Sequence, residues 1–415
     1  MKINLLSERY VDDGLPAFAL SDVQKEHIRS FNEKCTSGIY SFRNRICECG
    51  SNDFEVIAQK DRYGLPVDTV ICRNCGLIMT NPCLDDTSNA LFYDNEYHYI
   101  YRSETKPSEQ NYEERKHDAH TIIDFIQKHA GMFEGTVLEI GCADGGNVAA
   151  FNEKGYTASG IDLSHTYVEF GKNKGLDLYC SDAASFARTG NKYDLVVLNH
   201  VLEHFTDLQG ELQVIRELVN DDGYLFIAVP GLKYLTFGAY DCDFLLMLQN
   251  AHVYNFTKDT LIQAMKKNGF DCVFANEAVY GLFKKGTSVS SFGNFYHDNY
   301  NYLMEIENAS GNRQLLLIKR AIRELNSSKS CEIILYGTAT ELDALTQSMP
   351  DLSPIRGFFY TDRKSPSEVV EYLINNNLKH LWLVDSARDK DLTQELSELI
   401  IDRNISLFSV YREMF

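Results

Sequence analysis

The segment TVLEIGCADGGN, residues 136–147, constrains the fold of this chain more than any other. Its apolar run from Val137 to Ile140 is typical of a short, buried parallel strand. The glycines that follow at once are Gly141, Gly145 and Gly146. A helical pattern begins at Val148, so the order is strand, glycine-rich turn and helix. This order predicts an α/β fold in which the turn lets the backbone approach a nucleotide-like ligand closely.

The amino-acid sequence of this turn distinguishes between nucleotide-binding families. A dinucleotide-binding turn reads GxGxxG, with a glycine at its middle position. In this chain Ala143 holds that position, and Glu139 precedes the first glycine by two residues. A nicotinamide dehydrogenase gives no reason for Glu139, so the turn favours a different cofactor.

Further segments follow the turn in a regular order. Asp162 ends the strand-like segment TASGID, and Asp182 lies in CSDAASF at the end of the next one. Residues 192–204, KYDLVVLNHVLEH, and residues 221–231, DDGYLFIAVPG, have the pattern of a fourth and a fifth strand with their exits. Together with the glycine turn, these segments resemble class I S-adenosylmethionine-dependent methyltransferases. The resemblance implies a Rossmann-like core and S-adenosylmethionine as the cofactor.

The resemblance also implies which residues hold that cofactor. Asp162 would accept hydrogen bonds from the ribose hydroxyls, and Asp182 would recognise the adenine amino group. Asn199 and His200 would lie nearest the transferred methyl, while His204 would help to fold the turn after the fourth strand. The implied cofactor residues are Glu139, Gly141, Ala143, Gly145, Asp162, Leu163, Asp182, Ala183, Asn199 and His200.

Composition excludes several classes of substrate and location. The formal net charge of −19 disfavours DNA or RNA as substrate, because neutralising phosphates requires clustered lysine and arginine. The N-terminal segment MKINLLSERYVDD has no apolar core of signal-peptide length, and no later run reaches the ~18 apolar residues of a membrane span. We therefore expect a cytoplasmic protein whose partner is a small molecule or a neutral glycan. In that setting the 11 cysteines are expected to be thiols and metal ligands rather than disulfides.

Residues 46–82 contain cysteine pairs that suit a tetrahedral zinc site. The candidate ligands are Cys47 and Cys49 of a CxCG motif and Cys72 and Cys75 of a CxxCG motif. The glycine after each pair lets the backbone turn so that amides can point at thiolates. Four thiolates would fill the coordination shell, so the zinc would be structural. The CxC spacing leaves Cys35 or Cys83 open as a substitute ligand, and reduced core cysteines are the alternative to a metal site.

A tyrosine-rich segment, residues 92–104, follows the cysteine pairs. It contains a YxYxS motif formed by Tyr99, Tyr101 and Ser103. A four-cysteine module, this motif and a methyltransferase core in this order resemble the zinc-containing sugar C-methyltransferases, which act on nucleotide-linked keto-deoxysugars. In those enzymes a tyrosine of this segment and a later histidine act beside the transferred methyl. The alternative interpretation of the segment is an aromatic lid or core cluster.

The insertion from Gly231 to Asp259 is too apolar and aromatic for a solvated loop, and it predicts a wall and lid of the substrate pocket. His252 lies in its HxYxF motif, where the resembling sugar enzymes also have histidine, usually after a glutamate. Ala251 stands in the place of that glutamate, and loss of the carboxylate would leave the imidazole less basic. HxYxF also recurs in glycan O-methyltransferases, so the motif does not choose between carbon and oxygen transfer.

Apolar runs alternate with helical patterns through the centre of the chain. The predicted strands are residues 136–140, 157–162, 178–180, 194–199, 223–229 and 271–276. The predicted helices are residues 108–130, 146–154, 165–174, 207–219 and 257–268. This alternation predicts a doubly wound, mostly parallel sheet that binds its ligands beyond the carboxyl ends of the strands.

These patterns divide the chain into regions. They are an N-terminal extension (1–40), a small zinc-binding module (41–90), a methyltransferase core (91–297) with a lid insertion (231–259), and a smaller C-terminal domain (298–415). In the last region short apolar runs alternate with helical stretches, similar to the C-terminal Rossmann-like α/β domain of the sugar C-methyltransferases. Gly337 stands there without the other glycines of a phosphate loop, so independent dinucleotide binding is not expected.

The resemblances imply an S-adenosylmethionine-dependent methyltransferase that acts on a sugar. For C-methylation of a nucleotide-linked keto-deoxysugar, a base removes the proton beside a ketone and the enolate attacks the methyl. The candidate catalytic residues are Tyr99, which would stabilise the enolate, and His252, which would be the base. For the alternative, O-methylation of a surface glycan or its precursor, His252 alone could deprotonate a hydroxyl. A catalytically silent cofactor-binding scaffold is a further alternative, and the oligomeric state does not follow from the sequence.

Overall fold

The structure is a computed structural model, and it describes residues 2–101, 106–287, 291–309, 332–348, 352–385, 388–401 and 403–410. The chain divides into two compact units. The first comprises Met1–Lys233 and Phe244–Met304, and the second comprises Tyr234–Asp243 and Glu305–Phe415. Each unit is built around hydrophobic clusters of its own.

The strands of the first unit form two main sheets. They are β1 (Lys2–Ile3), β2 (Phe42–Arg43), β3 (Phe54–Lys60), β4 (Pro66–Cys72), β5 (Ile78–Thr80), β6 (Cys83–Leu84), β7 (Thr136–Ile140), β8 (Thr157–Asp162), β9 (Asp177–Cys180), β10 (Tyr193–Asn199), β11 (Val219–Ala228), β12 (Tyr254–Asn255), β13 (Phe270–Ala275) and β14 (Tyr280–Lys285).

The helices up to residue 309 are α1 (Asp22–Ser37), α2 (Asp86–Phe92), α3 (His98–Tyr101), α4 (Glu109–Ala130), α5 (Gly146–Glu153), α6 (His165–Lys172), α7 (Ala183–Ala187), α8 (Leu208–Leu218), α9 (Phe244–Met247), α10 (Lys258–Lys267) and α11 (Tyr296–Ala309). A π-helical turn spans Tyr93–Tyr97 between α2 and α3. Within the described ranges, no helix has the length and apolar character that crossing a membrane requires.

The larger sheet of the first unit has the strand order β13-β14-β11-β10-β7-β8-β9. The strands from β7 to β11 pair in parallel, whereas β14 runs antiparallel to both β11 and β13. The chain order reverses between β7 and β10, which places a crevice for ligands beyond the carboxyl ends of these strands. This is the doubly wound, mostly parallel sheet that the sequence predicts.

The predicted strands coincide with β7 to β11 and with β13 to within a few residues. β14 is not among them, because its apolar pair, Leu282 and Phe283, is too short to show a strand period. Pairing with β11 on one side and with β13 on the other stabilises this strand in the folded chain. Tertiary pairing therefore decides the strand that the local pattern does not show.

The smaller sheet has the order β1-β3-β4-β5-β12 and contains the hairpin of the cysteine module. Its edge strand β12 belongs to the insertion after β11 and pairs antiparallel with β5, with Tyr254 opposite Met79. The insertion is therefore more than a wall or lid. Its last part completes the sheet of the cysteine module, and this pairing fixes the residues directly before β12.

The N-terminal extension packs on the tyrosine-rich segment. Helix α1 begins after Ser21, which forms a capping box with Gln24. Phe31 of this helix is fully buried and packs against Tyr40 and Phe92. The extension thus contributes to the hydrophobic core of the first unit.

The second unit is a small parallel α/β layer. Its strands are β15 (Ile333–Gly337), β16 (Ile355–Tyr360), β17 (His380–Val384) and β18 (Ser406–Ser409), in the order β16-β15-β17-β18. Its described helices are α12 (Ala339–Ser348), α13 (Pro366–Asn375) and α14 (Asp389–Ile400). A Cβ at Gly337 would come within 2.1 Å of the Val384 carbonyl oxygen, so this glycine allows close packing of β15 and β17.

An ion pair holds α4 against the turn between β7 and α5. Arg115 donates from Nε and from its terminal nitrogen to both carboxylate oxygens of Asp144, at 3.1 and 2.6 Å. The Asp144 side chain is fully buried, whereas that of Arg115 is 32% exposed. A Cβ at Gly146 would lie 2.8 Å from the Tyr112 carbonyl oxygen, so the two backbones meet directly at this point.

We predict that Arg115→Met lowers the free energy of unfolding by about 3 kcal/mol, because it leaves a buried carboxylate without its partner. Lys116→Met is the matched control, since Lys116 pairs with the half-exposed carboxylates of Glu113 and Glu153. That variant should lose less than about 1 kcal/mol. Denaturant unfolding measures both values, and equal losses would show that the Arg115–Asp144 pair does not fix α4.

Candidate functional site

The turn between β7 and α5 uses left-handed backbone conformations. Gly141 has a φ of +75°, and a Cβ at this position would lie 2.5 Å from Val201 Cγ2. Gly145, which precedes α5, has a φ of +80°. Ala143 adopts a φ of +48° although it has a Cβ, and its N–H donates to Asp162 Oδ2 at 2.8 Å. This hydrogen bond fixes the turn against the carboxyl end of β8.

Glu139 lies on β7 beneath this turn and is 2% exposed. Its Oε1 accepts a hydrogen bond from Asn147 Nδ2 at 2.6 Å. Its Oε2 has no hydrogen-bond partner among the described residues. Burial raises the pKa of Glu139 to about 8. A buried carboxyl group with an unsatisfied oxygen is a feature of ligand sites more often than of packed cores.

Asp162 and Leu163 follow β8 at the same edge of the sheet. Asp162 Oδ1 accepts from the Ser164 N–H at 2.8 Å, and each of its oxygens has a further lone pair for a hydroxyl donor. Leu163 is 77% exposed although it is a large apolar residue. A carboxylate next to an exposed apolar side chain suits a ligand with a polar ring and a flat apolar ring.

Asp182 occupies the corresponding position after β9. It caps helix α7 by accepting from the Ser185 N–H at 2.6 Å and from Ser185 Oγ at 2.8 Å. The backbone hydrogen bond from Ser185 lowers the pKa of Asp182, so it is an ionised acceptor. Ala183, the next residue, is buried.

Asn199 and His200 end β10 beside the reversal of chain order. The His200 backbone has a φ of +55°, and its N–H donates to the Ala228 carbonyl oxygen at 2.8 Å. The His200 side chain is 58% exposed. This conformation turns the chain away from the sheet and leaves the imidazole accessible beyond the strand ends.

All the implied cofactor residues lie along one edge, because the carboxyl ends of parallel strands meet there. Three observations fit S-adenosylmethionine at this edge. They are the left-handed turn at Gly141, the unsatisfied oxygen of Glu139 and the exposed Leu163 beside Asp162. The cofactor would be held by the residues that the sequence identifies.

A cluster of histidines surrounds the carboxylate of Glu203 next to this edge. Glu203 Oε1 lies 3.4 Å from His200 Nδ1, 3.9 Å from His204 Nε2 and 4.0 Å from His252 Nε2. The rings of His204 and His252 meet edge to face, with 4.9 Å between their centroids. Because His200 also belongs to the cofactor edge, this histidine cluster lies beside the expected position of the transferred group.

Hydrogen bonds from other segments hold His252 in this cluster. The Val253 N–H, one residue later, donates to the Glu203 carbonyl oxygen at 2.8 Å. The Gln249 side-chain amide contacts His252 Nε2, and Gln249 Oε1 accepts from Arg62 at 3.2 Å. Since Arg62 can only donate, the Gln249 NH2 group faces the ring. Nε2 is therefore the ring nitrogen without a hydrogen.

Burial lowers the pKa of His252 well below its ordinary value, and positive charge on His204, Arg62 and His200 acts in the same direction. The His252 side chain is 7% exposed. The ring is therefore neutral at neutral pH. A neutral imidazole in a polar cluster can accept a proton from a substrate.

The tyrosine-rich segment contributes Tyr93 and Tyr97, which its YxYxS motif does not include. Tyr93 Oη lies 2.9 Å from His204 Nδ1, and the Tyr97 ring packs edge-on against the same histidine. Tyr101, the next in this series, places its hydroxyl 3.4 Å from Asp61 Oδ2. These tyrosines recur every four residues, so they share a face of the helical segment. That period is the pattern in the sequence that could identify them.

Tyr99 lies outside this period and points elsewhere. Its ring stacks on His27 of α1, with 4.0 Å between the centroids, and the residue is 41% exposed. The structure therefore does not bring Tyr99 to His252, whereas Tyr93 and Tyr97 contact His204 of the histidine cluster. Ser103 of the predicted motif lies outside the described residues.

The predicted zinc ligands converge on one point. The sulfur atoms of Cys47 and Cys75 are 3.5 Å apart, and those of Cys49 and Cys72 are 3.6 Å apart. All four lie within 4.8 Å of one another, and every cysteine that the structure describes is a free thiol. A tetrahedral zinc with Zn–S bonds of ~2.3 Å separates its sulfurs by about 3.8 Å, so the set could hold this metal. In the described part of the chain, neither Cys35 nor Cys83 joins the group.

Comparison with protein families agrees with the fold. Residues 113–274 match a family described as methyltransferase domain. This stretch runs from α4 to β13 and includes the glycine turn, Asp162, Asp182 and the segment after β10. Residues 113–274 are therefore a methyltransferase domain of the S-adenosylmethionine-dependent class.

Curated relatives share part of this domain. A ubiquinone biosynthesis O-methyltransferase from Brucella anthropi is 32% identical over 98 residues, which are 22% of this chain and 40% of that protein. A protein of the same description from Aromatoleum aromaticum is 24% identical over 200 residues, which are 45% of this chain and 83% of that protein. The chain thus spans less than half the length of the Brucella relative.

Solved structures of methyltransferases are also similar to the chain. The 1,6-didemethyltoxoflavin-N1-methyltransferase of Burkholderia thailandensis, with bound S-adenosylhomocysteine, is 16% identical with a TM-score of 0.37, covering 51% of this chain and 96% of its own. The magnesium protoporphyrin IX methyltransferase of Synechocystis PCC 6803 is 15% identical with a TM-score of 0.33, covering 50% of this chain and 100% of its own.

Glu139 leads to a prediction about stability and pH. Its folded pKa of about 8 lies above its unfolded pKa of ~4.3, so the folded chain binds this proton more tightly. The contribution to the free energy of unfolding is therefore largest below about pH 4.3 and falls as the pH rises towards about 8. Glu139→Gln removes this dependence and keeps the acceptor for Asn147.

We expect Glu139→Gln to be more stable than the wild type at pH 8 by roughly 1–3 kcal/mol, and close to it at pH 5. Denaturant unfolding of the ligand-free proteins at both pH values measures this difference. Glu153→Gln is the control, because its carboxylate is 54% exposed. Parallel pH dependence of wild type and Glu139→Gln would show that Glu139 is ionised in the folded protein.

Proposed function

Because residues 113–274 are a methyltransferase domain, we propose that this chain transfers a methyl group from S-adenosylmethionine to a sugar. The proposed reaction is C-methylation of a nucleotide-linked keto-deoxysugar. The observation that supports it is the pairing of β12, directly after His252 and Val253, with β5 of the cysteine module. A four-cysteine module before a methyltransferase core is the order of segments in the sugar enzymes that the sequence resembles, and here the pairing brings the module next to the proposed base.

The cofactor, when bound, supplies a methyl group on an electrophilic sulfonium. The chain's own residues bind and orient it. Asp162 would accept the ribose hydroxyls, Leu163 would cover the adenine, and Asp182 would accept the adenine amino group. Glu139 Oε2 would form a hydrogen bond with the cofactor beneath the turn at Gly141, which lets the backbone approach closely.

His252 is the proposed base for the acceptor. Its Nε2 has no hydrogen, and burial keeps the ring neutral. The proton leaving the carbon beside a ketone would move to Nε2, where it would replace the hydrogen bond from the Gln249 amide, and the electron pair would attack the methyl. Tyr93 and Tyr97, which contact His204, would take the role of enolate stabiliser that the resemblance implies for Tyr99.

O-methylation of a surface glycan or its precursor is the second candidate. The curated relatives are described as O-methyltransferases, which supports oxygen as the acceptor atom. A neutral imidazole can deprotonate a positioned hydroxyl as well as a carbon acid. The catalytically silent scaffold is the least supported, because the residues implied to bind the cofactor include His200, which shares the Glu203 cluster with the buried His252.

Product analysis distinguishes these functions. The protein is incubated with S-adenosylmethionine carrying a ¹³C-methyl group and with a panel of nucleotide-linked keto-deoxysugars and hydroxylated sugars. A methyl carbon coupled directly to a ring carbon beside a ketone is the expected product. A methoxy product selects O-transfer instead, and cofactor binding without any methylated product would support the scaffold.

The base is tested with His252→Ala. We expect a fall in kcat of about 10²–10⁴-fold with nearly unchanged cofactor affinity, because only proton removal is lost. His297→Ala, which changes an exposed histidine outside the cluster, should keep its turnover. The wild-type rate should rise with pH through one ionisation below ~6.5, as neutral imidazole becomes available. If His252→Ala retains most of the wild-type kcat, His252 lines the pocket and is not the base.

The convergent thiolates support a further part of the proposal, a structural zinc ion held by the four cysteines. We expect about one zinc per chain by metal analysis, and Cys72→Ser should lose the metal and unfold at a lower temperature. Cys35→Ser is the control, since Cys35 is half-exposed and outside the group. Metal-free wild-type protein with the same melting temperature as Cys72→Ser would exclude the zinc site.

A further inference from the structure

Glu203 is a buried carboxylate whose two oxygens have no hydrogen-bond partner among the described residues. It is 1% exposed and lies in the helical turn Leu202–His204 after β10. A buried ionised carboxylate without donors is unfavourable unless a positive charge forms nearby. The arrangement therefore points to a charge partner and not to a packing role.

The histidine cluster can supply that charge. His204 Nδ1 lies 2.9 Å from the carbonyl oxygen of Ala251, which can only accept, so Nδ1 bears the hydrogen. His204 Nε2 then lies on the side of Glu203. The same contact holds the backbone directly before His252, so one turn of chain positions both Glu203 and the proposed base.

The residue before His252 has no charge to offer, because it is Ala251. An imidazole that takes up a proton in a buried site nevertheless needs a negative partner. Glu203 Oε1 lies 4.0 Å from His252 Nε2, the nitrogen that lacks a hydrogen. A carboxylate from the segment after β10 thus reaches the base through space.

We propose that Glu203 is the counter-ion of His252, a positioning residue that stabilises the imidazolium formed when Nε2 takes the proton of the acceptor. This inference rests on the proposed function, in which His252 is the base. The proton moves from a C–H or O–H group of the acceptor to Nε2 and replaces the Gln249 hydrogen bond there. The electron pair of the broken C–H or O–H bond stays on the acceptor and attacks the methyl. Glu203 takes up no proton in this step and forms no covalent bond.

The other charged or titratable groups that face His252 act in the opposite direction. They are His204 and His200 from the segment after β10, and Arg62 from the connection between β3 and β4; Tyr93 contacts the cluster through His204. Positive charge on His204, His200 or Arg62 disfavours an imidazolium at His252 and so lowers its pKa. The negative charge of Glu203, about 4 Å away, would raise the pKa of His252 by about one unit or more.

A divalent metal ion is the competing explanation. Ligand atoms of Glu203, His204 and His252 lie within 4.8 Å of one another, and a metal with bonds of ~2.1 Å could draw them together. His252 would then be a ligand and could not act as the base. Metal binding therefore separates the two explanations.

Glu203→Gln tests the charge and keeps the shape of the side chain. Glu203→Asp keeps the charge but moves it away from His252. Glu55→Gln is the matched control, because Glu55 is also 1% exposed but lies in β3 and accepts from Asn4 and Tyr296. Each protein is titrated by NMR with ¹⁵N-labelled histidine, and the His252 signal is assigned by its loss in His252→Gln.

This titration needs no acceptor. We expect the His252 midpoint to lie about one pH unit or more lower in Glu203→Gln, or to leave the range in which the protein stays folded. Glu203→Asp should show a smaller shift in the same direction, which keeps the test available if Glu203→Gln does not fold. Glu55→Gln should leave the midpoint unchanged.

The second readout is the pH profile with the acceptor that product analysis identifies. Glu203→Gln should lower kcat at neutral pH by about 10–100-fold and move the acidic limb to lower pH, because a weaker base stays neutral over a wider range. KM should change little. A structural defect alone would lower kcat and leave the midpoint of the acidic limb of the pH profile unchanged.

An unchanged His252 midpoint in Glu203→Gln would overturn the proposal even if methyl transfer to a sugar is confirmed. Binding of about one Mn²⁺ per chain that is lost in Glu203→Gln and in His204→Gln would overturn it in favour of a metal site. Failure of every acceptor would instead reject the proposed function, and it would leave the NMR result on Glu203 and His252 intact.

Discussion

The pairing of β12 with β5 is the interaction on which the candidate acceptor site depends. β12 contains only Tyr254 and Asn255, yet it joins the insertion after β11 to the sheet of the cysteine module. Val253, directly before it, donates to the Glu203 carbonyl oxygen and accepts from the Thr80 N–H, both at 2.8 Å. His252 is thereby fixed between the module and the end of β10. Folding of the cysteine module and formation of the acceptor site are consequently coupled.

Two buried carboxylates lower the stability of this fold at positions where a functional role is proposed. Glu139 and Glu203 each have a side-chain oxygen without a hydrogen-bond partner in the described residues. Glu55 and Glu96 are equally buried, but they accept hydrogen bonds from Tyr296 and from Tyr40. An unsatisfied buried carboxyl group destabilises a chain by about 1–3 kcal/mol, so its presence indicates a ligand or a reaction that uses it. One of these groups lies at the cofactor edge and the other in the histidine cluster.

The accuracy of the sequence predictions depended on how local each feature is. Gly141 and Asp162 belong to strand-to-helix turns, where a short motif fixes both the backbone and the side chain. Tyr99 illustrates the opposite case. The YxYxS motif predicts it as a site residue, but the four-residue period places Tyr93 and Tyr97 on the face that contacts His204, while Tyr99 stacks on His27. The motif describes residue types in order, whereas the helical face decides which of them reach His204.

The sequence by itself determined the parallel sheet, the edge along which the residues implied to bind the cofactor lie and the set of four cysteines that converge. These features follow from strand periodicity, glycine turns and short ligand spacings, all of which operate over a few residues. Only the tertiary structure decided that β12 completes the cysteine module's sheet and that Glu203, rather than the residue before His252, supplies a carboxylate. The physical reason is that electrostatic contact acts through space. The distance from Glu203 to His252 is set by strand pairing between distant segments, and no spacing along the chain encodes it.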